Sequence, residues 1–204
     1  MSTLSAKPYP RRLIVGITGA TGIVYGIRLL DALRDTEIET HLVMTRAAAR
    51  TLTYEADISV DEVRARADVT YPIGDIGATI ASGSYRTMGM IVAPCSIKSM
   101  SNIAVGTTDN LLTRAADVVL KERRPLVLLV RETPLHVGHL RTMLRLAEIG
   151  AVIMPPVPAF YTRPQTIDDI VDQTVGRTLD VFDIEIGLVR RWAGTGMAPA
   201  DSIS

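Results

Sequence analysis

The sequence predicts a single-domain α/β fold in which helices cover both faces of a doubly wound parallel sheet. Apolar, β-branched runs alternate along the chain with segments whose apolar residues recur at helical spacing. Parallel strands need crossover connections, and a helix is the usual one. The chain has 204 residues, of which 47% are hydrophobic, so it can bury one substantial core.

Five strand-like runs and four helical segments make up this alternation. The runs are residues 13–18, 38–45, 88–94, 126–130 and 151–154, and the helical segments are residues 22–33, 110–123, 137–149 and 167–182. Together they predict a three-layer sandwich of the Rossmann or flavodoxin-like kind over residues 12–192. A flexible N-terminal arm at residues 1–11 and a loose C-terminal tail at residues 193–204 complete the predicted organisation.

The composition argues against several kinds of protein. Lys plus Arg and Asp plus Glu both number 22, so the net charge favours neither a nucleic acid nor an anionic membrane as a partner. A single cysteine excludes an internal disulfide, and three scattered histidines lack metal-ligand spacing, so no metal site is predicted. No stretch approaches the roughly 20 apolar residues of a membrane helix, and no signal peptide is apparent. We therefore expect a cytoplasmic protein, and its neutral, apolar-rich chain favours a homo-oligomer.

The loops after the first two strands indicate a nucleotide site, because ligands of such sheets bind beyond the carboxyl ends of the strands. Gly19, Thr21 and Gly22 stand where a helix begins, so backbone amides and a hydroxyl can face a phosphate. A tight turn without a ligand is the alternative. The glycine spacing does not match the dinucleotide fingerprint, and the second strand ends in Thr45 and Arg46 rather than in an acidic residue. A mononucleotide is therefore favoured over NAD.

The loop after the third strand has the sequence PCSIKS. Its hydroxyl groups and amides can hold a phosphate or the polar edge of a ring. Alternatively, Ser96 or Ser99 simply caps a helix. Cys95 is not assigned as a nucleophile, because a lone cysteine beside a buried strand is more often an inert core thiol.

Charged residues also mark the helix at 110–123 and the end of the fourth strand. Arg114, Asp117 and Lys121 share one helix face, although a surface pair between Asp117 and Lys121 is the ordinary alternative. Arg131 and Glu132 end the fourth strand, where the location at the carboxyl edge favours a site over an exposed pair.

A proline-rich loop at residues 155–164 predicts a stiff lid. It carries Phe160, Tyr161 and Arg163 in a chain with only 4% aromatic residues. Phe160 can instead pack against a neighbouring element. Arg177, on the helix that follows, would be interpreted as a surface residue if it were taken alone.

Five motifs together resemble the flavin prenyltransferase family, of the UbiX and Pad1 type: GATG, SGS, PCSIKSMSNIAVG, DNLLTRAADVVLKERRPLVLLVRETPL and PPVPAFYTRP. The resemblance extends from residue 13 to about residue 192 and is specific, because several long motifs occur in the family's order. It implies a prenyl-group transferase that moves a dimethylallyl group from dimethylallyl monophosphate to nitrogen 5 and then carbon 6 of reduced FMN. The product, prenylated FMN, would serve a separate decarboxylase of the UbiD type. In the family, neighbouring subunits complete the sites within a dodecamer.

The resemblance also assigns the site residues. The residues implied to hold FMN are Gly19, Ala20, Thr21, Thr45, Ser96, Ile97, Lys98, Ser99 and Arg131. The residues implied to hold dimethylallyl monophosphate are Ser82, Gly83, Ser84, Arg114, Lys121, Tyr161 and Arg177. The residues implied to take part in catalysis are Glu55, Glu132, Lys121 and Thr21. Thr21 stands where many members carry Ser, and because the hydroxyl is retained we expect activity to be retained.

Two other functions remain open at this stage. One is an FMN-dependent cysteine decarboxylase of related fold, which relies on a catalytic histidine and an Asn-rich signature. His41 falls inside the second strand, and His136 and His139 follow RETPL, so this requirement is not visibly met. The other is a non-catalytic FMN carrier, which would not need a second phosphate site. The choice of monophosphate over pyrophosphate as donor rests on the resemblance alone.

Overall fold

The centre of the molecule is a six-stranded parallel sheet. The computed structural model describes residues 10–192 and residue 194. The strands are β1 (Arg11–Ile17), β2 (Ile38–Met44), β3 (Val69–Tyr71), β4 (Gly89–Cys95), β5 (Leu126–Val130) and β6 (Ala151–Ile153). Their order is β3-β2-β1-β4-β5-β6, so the winding direction reverses between β1 and β4. The predicted doubly wound parallel sheet is therefore confirmed.

Helices cover both faces of this sheet. Within the described residues they are α1 (Ile23–Leu33), α2 (Arg46–Glu55), α3 (Val60–Arg64), α4 (Ile97–Val105), α5 (Leu111–Lys121), α6 (Val137–Glu148) and α7 (Ile167–Asp180). Buried residues of α1, α2, α3 and α7 share one core cluster with one face of the sheet. Those of α4, α5 and α6 share the second cluster with the other face. We call these the first face and the second face.

Burial on both faces explains why the strands read as continuous apolar runs. Every residue of β4 and β5 is buried, as expected for a parallel sheet between two helical layers. In β1, Val15 and Ile17 enter the first core while Ile14 enters the second, which follows from the two-residue repeat of a strand.

Where both exist, the observed boundaries lie within two residues of the predicted ones, and those of β5 coincide with them. Three elements have no counterpart among the predicted ones: β3, which is three residues long, α2, in which only Ala48 and Leu52 are buried, and the five-residue α3. Helix α4 begins as the capping alternative predicts, with Ser96 as its N-cap. Strand β1 begins at Arg11, the last residue of the predicted arm. The rest of that arm, apart from Pro10, and the predicted tail, apart from Gly194, lie outside the described residues.

Helix α1 lies unusually close to β4 at Gly26. A β-carbon at this position would lie 2.4 Å from the carbonyl oxygen of Ala93 and 2.8 Å from Cδ1 of Ile17. Both neighbours belong to buried strands and have little room to move. The glycine therefore permits the packing of α1 on the sheet.

We expect Gly26→Ala to destabilise the fold by about 1–3 kcal/mol, because the added methyl group overpacks the contact between α1 and β4. Gly74→Ala is the matched control, since a β-carbon at Gly74 would have no neighbour within 4 Å. The two variants are compared by chemical denaturation. Stabilisation of the Gly26 variant, the usual result of Gly→Ala inside a helix, would contradict this account of the packing.

Candidate active site

The hydroxyl of Thr18 joins the loops that follow β1 and β4. Thr18 is fully buried directly after β1. Its Oγ1 donates to the carbonyl oxygen of Pro94 at 2.7 Å and accepts from the N–H of Ser96 at 2.7 Å. One side chain thus satisfies two backbone groups where the sheet changes winding direction, and it fixes the two loops relative to each other.

Helix α4 presents a positive end at the carboxyl edge of the sheet. Ser96 caps it by accepting from the N–H of Ser99 at 3.3 Å, and the Ser96 hydroxyl donates to that of Ser99 at 3.2 Å. Ile97 and Lys98 form the first two positions of the helix, where amide groups point out of the helix end. Arg131 lies beside this end, because its N–H donates to the carbonyl oxygen of Cys95 at 3.1 Å. Hydroxyls, amides and a guanidinium group together form a site suited to a phosphate.

The equivalent end of α1 is occupied by the protein's own carboxylate. Oε2 of Glu55 accepts from the N–H groups of Gly22 and Ile23 at 2.8 and 2.9 Å. The structure therefore differs from the expectation that the Gly22 amide faces a phosphate. Because Thr21 immediately precedes these amides, two of the residues implied to be catalytic, Thr21 and Glu55, lie together.

The loop after β2 adjoins the loop after β1. Thr45 caps α2 by accepting from the N–H of Ala48 at 3.1 Å, and its own N–H donates to the carbonyl oxygen of Ile17 at 3.0 Å. A β-carbon at Gly19 would lie 2.4 Å from Cβ of Ala47, so the loop after β1 touches α2. Since β2, β1, β4 and β5 are neighbours, the structure brings all residues implied to hold FMN to one edge of the sheet.

Glu132 lies at the same edge, directly after Arg131. Its side chain is exposed, and its Oε1 accepts from the N–H of Thr133 at 3.0 Å. A carboxylate and a guanidinium group thus stand next to each other at the end of β5, as the sequence predicts.

Cys95 is fully buried at the end of β4. Burial raises the pKa of its thiol to about 12, so the thiolate is a minor species at neutral pH. Cys95 is therefore a buried core thiol and is poorly suited to act as a nucleophile.

His41 and His136 are engaged in structural contacts. His41 is buried within β2, with Nδ1 2.9 Å from the hydroxyl of Tyr71 and Nε2 2.7 Å from Glu39, and burial lowers its pKa. His136 caps α6, accepting from the N–H of Gly138 at 3.0 Å. Both ring nitrogens of His41 are engaged, so His41 does not offer the free imidazole that a catalytic histidine needs.

Lys121 and the loop at 82–84 lie away from the edge that carries Arg131. Lys121 ends α5 just before β5 begins, whereas Arg131 follows the end of β5. Nη2 of Arg124 holds the loop by donating to the carbonyl oxygen of Gly83 at 2.8 Å, and the hydroxyls of Ser82 and Ser84 are 2.9 Å apart. These residues therefore form a separate group at the amino edge.

The alternative of a surface pair between Asp117 and Lys121 is not what the structure shows. Asp117 pairs with Arg114 at 2.9 Å, and Lys121 pairs with Glu122 at 2.5 Å. Several residues at similar distances along the sequence can reach the same charged group. The direction of each side chain decides which pair forms, and the helical spacing alone does not show that direction.

Arg177 and Tyr161 form a third group, on the first face. Arg177 lies on α7 and pairs with Asp180 at 2.5 Å. The Tyr161 ring meets the ring of Trp192 edge-on, with centroids 5.8 Å apart. Because α7 covers the first face and α5 the second, the sheet separates Arg177 from Lys121. One chain alone does not bring the implied donor residues together.

Sequence reasoning missed three residues around these groups. Arg124 holds the loop at 82–84, Gln173 contacts Tyr161, and Trp192 packs against the Tyr161 ring. Two sequence signals were available. Gln173 is a polar residue within the buried stripe of α7, and Trp192 is the single tryptophan of the chain. In the described part of the chain, no helix is long and apolar enough to cross a membrane, and no group of His, Cys, Asp or Glu could hold a metal ion.

Comparison with known proteins identifies the family. A family model described as Flavoprotein matches residues 1–179. The flavin prenyltransferase UbiX of Escherichia coli (strain K12) is 64% identical over 187 residues, which cover 90% of this chain and 99% of that protein. The chain belongs to the flavin prenyltransferase family. The predicted family and enzyme class are confirmed by these matches.

Solved structures agree with this assignment. The crystal structure of AnUbiX (PadA1) in complex with FMN and dimethylallyl pyrophosphate is 53% identical, with a TM-score of 0.89, and the match covers 90% of this chain and 98% of that one. A dodecameric FMN-dependent UbiX-like decarboxylase from Escherichia coli O157:H7 is 52% identical, with a TM-score of 0.88, and the match covers 90% of this chain and 100% of that one. The predicted fold class is confirmed, and the predicted flavin cofactor is confirmed at the level of the family.

We expect Thr18→Val to lower the free energy of unfolding by about 1–3 kcal/mol, because it leaves the Ser96 amide unpaired in a buried place and leaves the Pro94 carbonyl with only the longer bond from the Thr18 N–H at 3.3 Å. FMN affinity should fall as well, since the loop after β4 loses its side-chain link to Thr18. Chemical denaturation and FMN titration measure the two effects. Thr142→Val, which removes a hydroxyl bonded within α6, is the control, and equal effects from both substitutions would contradict the role of Thr18.

We expect the Cys95 thiol to resist a thiol reagent such as Ellman's reagent in the folded protein between pH 6 and 9. Both its burial and its raised pKa, about 12, suppress reaction over this range. After denaturation one thiol per chain should react. Rapid labelling of the native protein would show that the end of β4 opens to solvent.

Proposed function

We propose that this chain transfers a dimethylallyl group from dimethylallyl monophosphate to reduced FMN held at the carboxyl edge of its sheet. The observation that carries the proposal is the convergence at this edge of hydroxyl groups, helix ends, a guanidinium group and two carboxylates. A flavin carrier would need the phosphate-binding groups but not the carboxylates. Reduced FMN supplies the nucleophilic nitrogen and carbon that accept the prenyl unit.

The end of α4 is the proposed position of the FMN phosphate. Ser96 and Ser99 supply hydroxyl donors there, and Arg131 supplies a fork of N–H groups. The end of α1 is less suited, because the carboxylate of Glu55 already accepts its first amides and would repel a phosphate. The flavin ring then extends toward Thr21, Glu55 and Glu132.

Glu132 is the proposed proton acceptor. Forming the second bond to an aromatic carbon releases a proton, and a carboxylate within reach of that carbon can take it directly or through phosphate. Glu132 is exposed at the site edge and is not occupied by an ion pair in the described part of the chain. Glu55, held by two amides, fixes the loop that carries Thr21.

The donor phosphate is proposed to bind between copies of the chain. Departure of a phosphate needs concentrated positive charge arranged before reaction. Arg177 lies on the first face and Arg114 and Lys121 on the second, so the cations of one chain cannot surround one phosphate. Cations contributed by neighbouring copies meet this need, and we propose a homododecamer like the relative from Escherichia coli O157:H7.

An exposed apolar stripe on α6 supports this assembly. Val137, Leu140 and Leu144 lie on one side of the helix and are between 52% and 60% exposed. A stripe of this kind is typical of a surface that another protein covers. The product, prenylated FMN, is proposed to pass to a decarboxylase of the UbiD type.

The reaction is tested directly by mass spectrometry of the flavin. Purified protein is incubated without oxygen with FMN, dithionite and either dimethylallyl monophosphate or dimethylallyl pyrophosphate. We expect the extracted flavin to gain one prenyl unit, with the monophosphate as the better donor. Unmodified FMN from folded, flavin-loaded protein with both donors would contradict the proposed function.

We expect Glu132→Gln to slow product formation by about 100-fold or more, because the amide cannot accept the proton. FMN should remain bound, since the phosphate-binding residues are unchanged. Product is measured by mass spectrometry and FMN binding by flavin fluorescence. Glu37→Gln, at an exposed position just before β2, is the matched control, and normal turnover of the Glu132 variant would rule out its proposed role.

A further inference from the structure

Gln173 is a buried polar residue that neither the family motifs nor the proposed mechanism assigns. It lies on α7 and is only 5% exposed. Its amide group stands between two segments, the proline-rich loop that carries Tyr161 and the C-terminal segment at residues 184–192. A buried amide is costly unless its hydrogen bonds are made, so its contacts indicate what it does.

The orientation of this amide is fixed by the backbone of Arg190. The N–H of Arg190 donates to Oε1 of Gln173 at 2.9 Å. A backbone N–H can only donate, so the oxygen of the side chain must face it. The other atom of the amide is therefore the nitrogen, and this Nε2 lies 3.4 Å from both the hydroxyl of Tyr161 and the carbonyl oxygen of Arg190.

This orientation decides the role of the Tyr161 hydroxyl. Because Nε2 of Gln173 is a donor, the phenolic oxygen accepts from it and keeps its own proton for another partner. An ionised phosphate only accepts hydrogen bonds, so a phenol prepared in this way is matched to it. We propose that Gln173 is a positioning residue that presents Tyr161 as a hydrogen-bond donor to the phosphate of the prenyl donor. The inference rests on the contact between Tyr161 and the donor given under the proposed function.

The same side chain couples the C-terminal segment to Tyr161. Nη1 of Arg190 donates to the carbonyl oxygen of Thr162 at 3.2 Å, and Trp192 packs on the Tyr161 ring. The segment also lies close against α7 at Gly176, where a β-carbon would be 2.6 Å from Cγ2 of Val189. Gln173 thus holds Tyr161 through a direct contact and through the segment that Trp192 belongs to.

Gln173→Met tests the proposal, because methionine has a similar length and volume but cannot donate a hydrogen bond. We expect the KM for dimethylallyl monophosphate to rise about tenfold, the equivalent of one lost hydrogen bond of moderate strength. FMN affinity should be unchanged. Thr178→Val, which removes a buried hydroxyl five residues further along α7, is the control and should leave this KM unaltered. If the Met variant does not fold, Gln173→Leu replaces it.

A double variant separates positioning from general support. If Gln173 acts through Tyr161, adding Gln173→Met to Tyr161→Phe should raise the KM little beyond that of Tyr161→Phe alone. The role of Gln173 would be overturned if the two substitutions raised the KM by independent, multiplying factors. It would also be overturned if Tyr161→Phe raised the KM while Gln173→Met left it unchanged. Either result would leave the proposed donor contact of Tyr161 intact. An unchanged KM in Tyr161→Phe would overturn the donor contact itself, and the inference with it.

Discussion

The arrangement of the site depends on the two hydrogen bonds made by the buried hydroxyl of Thr18. This hydroxyl donates to the carbonyl of Pro94 within β4 and accepts from the N–H of Ser96, the first residue after β4, at the point where the sheet changes winding direction. Ligands of such sheets bind at this crevice. The loop after β2 is joined to the end of β1, and the loop after β5 to the end of β4. These hydrogen bonds, together with those of Thr18, therefore fix the positions of the loops at the carboxyl edge relative to one another.

Cations of the implied donor site are each paired within their own chain. Arg114 pairs with Asp117, Lys121 with Glu122, and Arg177 with Asp180. Pairs that are this exposed contribute about 0–1 kcal/mol, so an incoming phosphate can compete for the cations at small cost. Although the net charge of the chain is zero, these three cations can therefore become available to an anion. Their division between two faces of the sheet is the basis for the proposal that neighbouring copies complete the donor site.

The sequence predicts the elements that are long and strongly apolar and misses those that are not. The fully buried strands β4 and β5 are found within one residue at each end, whereas β3 and α2 bury too little apolar surface to give a clear pattern. Residues at the site were named from motifs, but their contacts were not. Glu55 meets amides 32 and 33 residues away, and Gln173 meets Tyr161, which is 12 residues away in a short 3-10 helical turn. Only the folded chain brings these partners together.

The central claim, that one active site combines the carboxyl edge of one copy with cations of another, is tested most directly by complementation between inactive variants. One variant carries Ser96→Ala and Ser99→Ala, which remove the hydroxyls proposed for FMN, and the other carries Lys121→Met. Each should be inactive alone, whereas mixed oligomers assembled from both should form prenylated FMN, because some sites combine two intact halves. Mixed oligomers that form no product, despite verified co-assembly, would show that each site is built from a single chain.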